Sequence, residues 1–162
     1  MSLFIRKIDK GKWLQKDIPL DEDVPADAIT KCMKTDHNTL SVWEISDEDN
    51  IDEAVLAIVS GGQHLDAIDV APINTEHLEE NKIDYIRTGG RTPVKELVDT
   101  HRDLSNLSYK KLGIVAYHIA DKIKDNQVKR YTRGRLKEIL RDAIEKGRLR
   151  ADELDDSIRK EL

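Results

Sequence analysis

The feature that most constrains this chain is a change of pattern at Gly89-Gly90. Before it, short β-prone runs alternate with helical patterns. After it, apolar residues recur at helical spacing to the end. The fold class this implies is mixed α/β (α+β). A small N-terminal sheet of about four strands with helices fills 1–90, and a helical region over 91–162 packs on it as one compact body.

Four runs read as strands: LFIRKI (3–8), TLSVWEI (39–45), LDAIDVAPI (65–73) and KIDYIRT (82–88). In the second, Ser41, Trp43 and Ile45 share one face, and Leu40, Val42 and Glu44 the other. Pro25 suits the first turn of a helix over Ala26 to Met33, because its missing N–H is not needed there. Asp49 or Asn50 caps IDEAVLAIVS, and Gly61-Gly62 is expected to end it in the left-handed conformation. Thr75 opens a short helix through Glu80. Strand–helix–strand order of this kind predicts right-handed crossovers wherever the strands run parallel.

Beyond the glycines, Thr92-Pro93 is a cap-plus-first-turn pair predicting a helix over PVKELVDTHRDL. Ser108 caps YKKLGIVAYHIADKIKDN, with Leu112, Val115, Ala116, Ile119 and Ile123 on one stripe. Thr132 caps RGRLKEILRDAIEK, where Leu136, Ile139, Leu140, Ala143 and Ile144 follow the same rule, and Gly147 stops it. ADELDDSIRKEL is a last expected helix.

Charge narrows the function classes. The net charge is −5, yet residues 129–162 hold 11 basic against 8 acidic side chains, and the first 128 hold 16 against 24. An acidic body carrying a basic surface fits that asymmetry. No apolar run approaches the roughly 20 residues of a membrane helix. Charges interrupt the N-terminus where a secretory signal needs its apolar stretch, and Cys32 has no second cysteine to pair with. A soluble, cytoplasmic protein is expected, without a membrane partner.

The stretch HRDL (101–104) spells the start of a protein-kinase catalytic loop, but a kinase needs Asn five residues after the Asp, and Ser108 stands there. No glycine-rich nucleotide loop accompanies it, so these residues read as the polar end of a helix. HLDAID (64–69) offers His64 and Asp66 on one strand face and turns Asp69 away, at most part of a metal site. His37, His77, His101 and His118 show no ligand spacing, and neither Cys32 nor Ser60 sits in a nucleophile frame. No pattern calls for a cofactor, and the lack of any catalytic constellation weighs against an enzyme.

Two segments carry interaction chemistry. In VKRYTRGRLKEILR (128–141), Arg133, Lys137 and Arg141 fall four apart on one helical strip, and Arg130 and Tyr131 precede them. Such a strip suits phosphates or an acidic protein surface, or it pairs with the acids of the final helix. Backbone N–H groups of the Gly89-Gly90-Arg91 turn form a candidate anion receiver; the plainer reading is a turn followed by a cap. Trp13, in GKWLQK, is either an exposed interface anchor or folded back over the sheet.

The leading expectation is a non-catalytic macromolecular interaction protein: an adaptor, regulator or immunity-type partner. Its contact residues would be Arg130, Tyr131, Arg133, Lys137, Arg141 and Trp13, and its partner another protein. Two alternatives stay open: a nucleic-acid-associated protein using 128–141, and a small enzyme on an anionic ligand at Gly89, Gly90 and Arg91.

Overall fold

The computed structural model describes residues 2–162. Its elements run β1 (Leu3–Ile8), α1 (Lys10–Trp13), α2 (Ala26–Cys32), β2 (Leu40–Ile45), α3 (Ile51–Ser60), β3 (Ile68–Asn74), α4 (Thr75–Glu80), β4 (Asp84–Arg87), β5 (His101–Ser105), α5 (Tyr109–Lys124), β6 (Lys129–Tyr131), α6 (Arg133–Glu145) and α7 (Asp156–Arg159). The strands form one six-stranded sheet in the order β4-β5-β2-β1-β3-β6, and every ladder in it is antiparallel.

Mixed α/β architecture is as expected, but six strands stand where about four were predicted. The strand–helix–strand order does bring β2 and β3 into the same direction. They are not hydrogen-bonded neighbours, because β1 lies between them and runs against both. Among the described residues no parallel ladder forms, since β1 takes the middle position.

Both faces of the sheet are covered, so its central strands are apolar on both sides. Phe4 and Ile8 of β1, Leu40 and Val42 of β2, and Ala71 and Ile73 of β3 enter one cluster with Trp13, Ala28, Cys32, Val115, Ala116 and Ile119 of α1, α2 and α5. Ile5, Trp43, Ile45 and Val70 point the other way, onto Val55, Val59, Leu136 and Leu140 of α3 and α6. The alternation in TLSVWEI is therefore real, with its two sets of side chains in two different cores.

The largest departure from expectation lies in PVKELVDTHRDL. Residues Lys95–Thr100 form a 3-10 turn, and the chain then extends into β5 between β2 and β4. This strand is polar, and its partners make that tolerable. Arg102 pairs with Glu44, Ser41 donates to Asp103, and His101 Nδ1 lies 2.7 Å from the Thr88 hydroxyl. HRDL is thus a strand and not the end of a helix. A second strand, β6, precedes Thr132, which caps α6 as the sequence indicates, accepting from Arg135 N–H. The last expected helix is broken into a 3-10 turn at Ala151–Glu153 and the short α7.

Glycine has a different role from the one predicted at the end of α3. Gly61 has φ −89°, an ordinary right-handed value. A Cβ there would lie 1.8 Å from the Arg91 carbonyl oxygen, so close backbone approach is what requires glycine. Gly90 answers a similar need, because its Cβ would fall 2.2 Å from the Trp43 ring.

Candidate interaction groove

The basic segment is engaged within the chain. Arg133 and Lys137 share the Glu161 carboxylate at 2.7 and 3.6 Å, and Arg141 donates to the Leu162 carbonyl. Arg130 reaches the buried Asp69 carboxylate at 3.2 Å, and Asp69 also accepts from Lys10 N–H at the start of α1. The strip forms as the spacing indicated, and the final segment lies against it. The pairs with Glu161 lie at the surface and contribute little stability each, but together with Asp69 they occupy cations that phosphates would need.

Tyr131 is not free to stack on a base. Its ring is buried between β3 and α3, and its hydroxyl donates to Asp52 Oδ1 at 2.5 Å. Burial, followed by the bond to Asp52, raises its pKa far above the ordinary phenol value. Trp13 likewise presents no surface, being fully buried in the core beneath α1 and α2. Its indole N–H finds no acceptor among the described residues.

The Gly89-Gly90-Arg91 turn is committed to packing. Gly90 N–H donates to the Val98 carbonyl at 3.0 Å, which removes one donor from the anion receiver. Arg91 borders a hollow of about 200 Å³ whose other polar side chains include Lys7 and Ser41. The C-terminus of α3 adjoins it, and the negative end of a helix dipole opposes a bound anion.

Two histidines that showed no pattern in the sequence meet in the fold. His77 of α4 and His118 of α5 stack at 4.1 Å between ring centroids. His118 Nε2 accepts from Asn74 N–H at 3.2 Å, so its proton sits on Nδ1. Burial, then the neighbouring His77 and Lys122, depress its pKa to about 4. The pair belongs to the joint between α4, β3 and α5.

An unused surface lies instead between α2 and α5. Tyr109 is 94% exposed and Tyr117 52% exposed, and they flank Gly113 on one face of α5 at the i, i+4, i+8 spacing. No atom lies within 4 Å of where a Gly113 Cβ would stand. Together with Val24, Ala26 and Ile29 from the α2 side, and Leu112 and Ala116, they line a groove of about 290 Å³. Tyr117 donates to Asp23 Oδ1 at 2.6 Å, and that bond holds the Asp23 carboxyl below its ordinary pKa. Asp23, which lines the groove, belongs to an acidic stretch with Asp21, Glu22 and Asp27, all exposed.

Sequence reasoning placed YKKLGIVAYHIADKIK on a helix and read its buried stripe, but not its outward one. The signal was present in Tyr109, Gly113 and Tyr117, spaced by fours along one flank of the core stripe. Compared with protein families, curated proteins and solved structures, the chain matches none.

Proposed function

We propose that this chain is a non-catalytic protein-binding module, of the adaptor or regulator kind, that receives a basic partner segment in the groove between α2 and α5. The observation that carries the reading is the pair of exposed tyrosines around a glycine-lined apolar groove. Tyrosine gives large, rigid contact area at low entropic cost, which is why it is enriched among residues that dominate binding. The acidic stretch at 21–27 favours lysine- or arginine-bearing segments, with an apolar side chain of the partner over Gly113. The nucleic-acid alternative has weaker support, because Arg130, Arg133 and Lys137 already meet carboxylates of the same chain. The anionic-ligand alternative is weakened by the occupied Gly90 N–H.

The test is selection of peptides from a random display library on the full chain, followed by affinity measurement against Gly113→Leu. This substitution fills the groove from a position with open space around it, so the fold is kept. Enrichment of segments with an apolar anchor among lysines or arginines is expected, with at least about tenfold weaker binding to the variant. Peptides that bind wild type and Gly113→Leu equally would overturn the assignment.

A further inference from the structure

The sheet has two edges, and they are built differently. β6 is three residues long and exposes Lys129 and Arg130, the usual protection of an edge against pairing. β4, at the other end, has the sequence Asp-Tyr-Ile-Arg, with no proline, glycine or bulge, and Asp84, Ile86 and Arg87 are exposed. Ile86, 51% exposed, is one of the few large apolar side chains left in solvent.

The direction of each backbone group on β4 follows from one hydrogen bond. Thr88 N–H donates to the His101 carbonyl at 3.2 Å, which makes Thr88 and His101 a bonded pair in the β4–β5 ladder. Antiparallel ladders alternate, so Ile86 and Asp84 also face β5, opposite Asp103 and Ser105. The N–H and C=O groups of Tyr85 and Arg87 therefore point out from the sheet.

We infer that β4 pairs with β4 of a second copy of this chain, antiparallel and centred on Ile86, to join two sheets into one. In that register Tyr85 faces Arg87 of the second copy and Arg87 faces its Tyr85. Each pair exchanges two backbone hydrogen bonds, and all four outward-facing groups of each strand are satisfied. The two Ile86 side chains meet at the axis as a non-bonded pair, the closer of the two pair types.

Neighbouring registers are worse. Centring on Tyr85 sets Arg87 against Ile83, whose N–H already donates to the Leu78 carbonyl at 2.8 Å. Centring on Arg87 sets two guanidinium groups against each other. The Ile86 register has charge complementarity instead, because the Tyr85 hydroxyl that shares a face with the incoming Arg87 donates to Glu79 at 3.3 Å. Within one copy, among the described residues, Arg87 pairs only with Asp99, at 3.5 Å with both side chains well exposed. Such a contact is isologous and closes on itself. A ladder this short is a small interface, so dissociation on the order of micromolar is expected.

Sedimentation velocity of the full chain from low to high micromolar concentration tests the pairing. A species of twice the 18.5 kDa chain mass should grow in with concentration. Arg87→Pro removes an N–H that points outward and leaves the β4–β5 ladder intact, so it should abolish the dimer while the circular dichroism stays that of wild type. Ile86→Lys, which places two ammonium groups at the axis, should do the same. In Ile86→Cys the two Cα atoms lie about 4.5 Å apart, within the range of a disulfide, and Cys32 is buried away from it. Oxidation should convert this variant to a covalent dimer. A chain that stays monomeric at every concentration, a dimer indifferent to Ile86→Lys, or failure of Ile86→Cys to cross-link would each overturn the pairing.

Discussion

Acidification should destabilise this protein in part through His118. His118 sits neutral between α4 and α5, its Nε2 accepting from Asn74 N–H and its ring against His77. Its pKa is about 4 in the folded chain, against an ordinary 6.5. Between those values the unfolded chain binds a proton that the folded chain refuses. Stability contributed by the neutral ring is therefore complete above about pH 6.5 and is lost as pH falls toward 4. At about 1.4 kcal/mol per unit, and allowing for the part of the ring that solvent reaches, the loss is about 2–3 kcal/mol. Asp121 moderates it and Lys122 adds to it. The assay is urea unfolding at pH 7.5 and pH 4.5 on wild type and His118→Gln, whose amide oxygen still accepts from Asn74 N–H but does not titrate. The carboxylates titrate alike in both proteins and cancel in the comparison. The stability difference between the two pH values should shrink in the variant by about 2–3 kcal/mol. An equal difference in the two proteins would refute the assignment of that loss to His118.

Gly90→Ala should cost about 3 kcal/mol or more, because its Cβ would fall 2.2 Å from the Trp43 ring and 2.9 Å from the His101 Cβ; thermal denaturation reads this directly. Replacing Arg133, Lys137 and Arg141 together by Gln should lower stability by only about 1 kcal/mol, since each pair is exposed. If these residues served nucleic acid, the same variant would flatten the salt dependence of binding. With Arg133 and Lys137 already paired to Glu161 and Arg141 held by the Leu162 carbonyl, fluorescence anisotropy with duplex DNA at low salt should show no difference between variant and wild type.

What the sequence disclosed was set by how apolar each element is. α5 and α6 carry long stripes buried on one side and α3 is apolar and covered nearly all round, and their limits and the caps at Ser108 and Thr132 were legible to within a residue or two. β2 was legible because its two faces enter two cores. β5 was not, because its pairing is lateral: His101, Arg102 and Asp103 are held by Thr88, Glu44 and Ser41, none of them close in sequence. Thr92-Pro93 suggested a helix start, but Thr92 instead accepts from Val94 N–H and meets the Ser60 hydroxyl at 2.9 Å. The basic strip was visible by spacing, whereas its engagement by Glu161 depends on where the last turn folds back. Trp13 was ambiguous and Tyr131 was read as a contact residue, because a large aromatic in a polar stretch reads the same whether it anchors a partner or a core.

The two proposed contacts are geometrically linked. In an antiparallel ladder, residues opposite each other project to the same face, so pairing across β4 keeps equivalent faces of the two copies on one side. α2 and α5 cover the face that holds Phe4, Leu40 and Ala71, and both grooves of a dimer therefore open in the same direction. α5 packs on β3, four strands from β4. At a strand spacing of about 4.8 Å, nine such steps separate the two α5 helices, or roughly 40 Å before sheet twist. A partner that displays its basic segment twice within that span would be held by both grooves, and the second contact would form at a high effective concentration. Affinity at one groove need then be no better than micromolar, which accords with a surface whose main assets are two tyrosines and an acidic stretch.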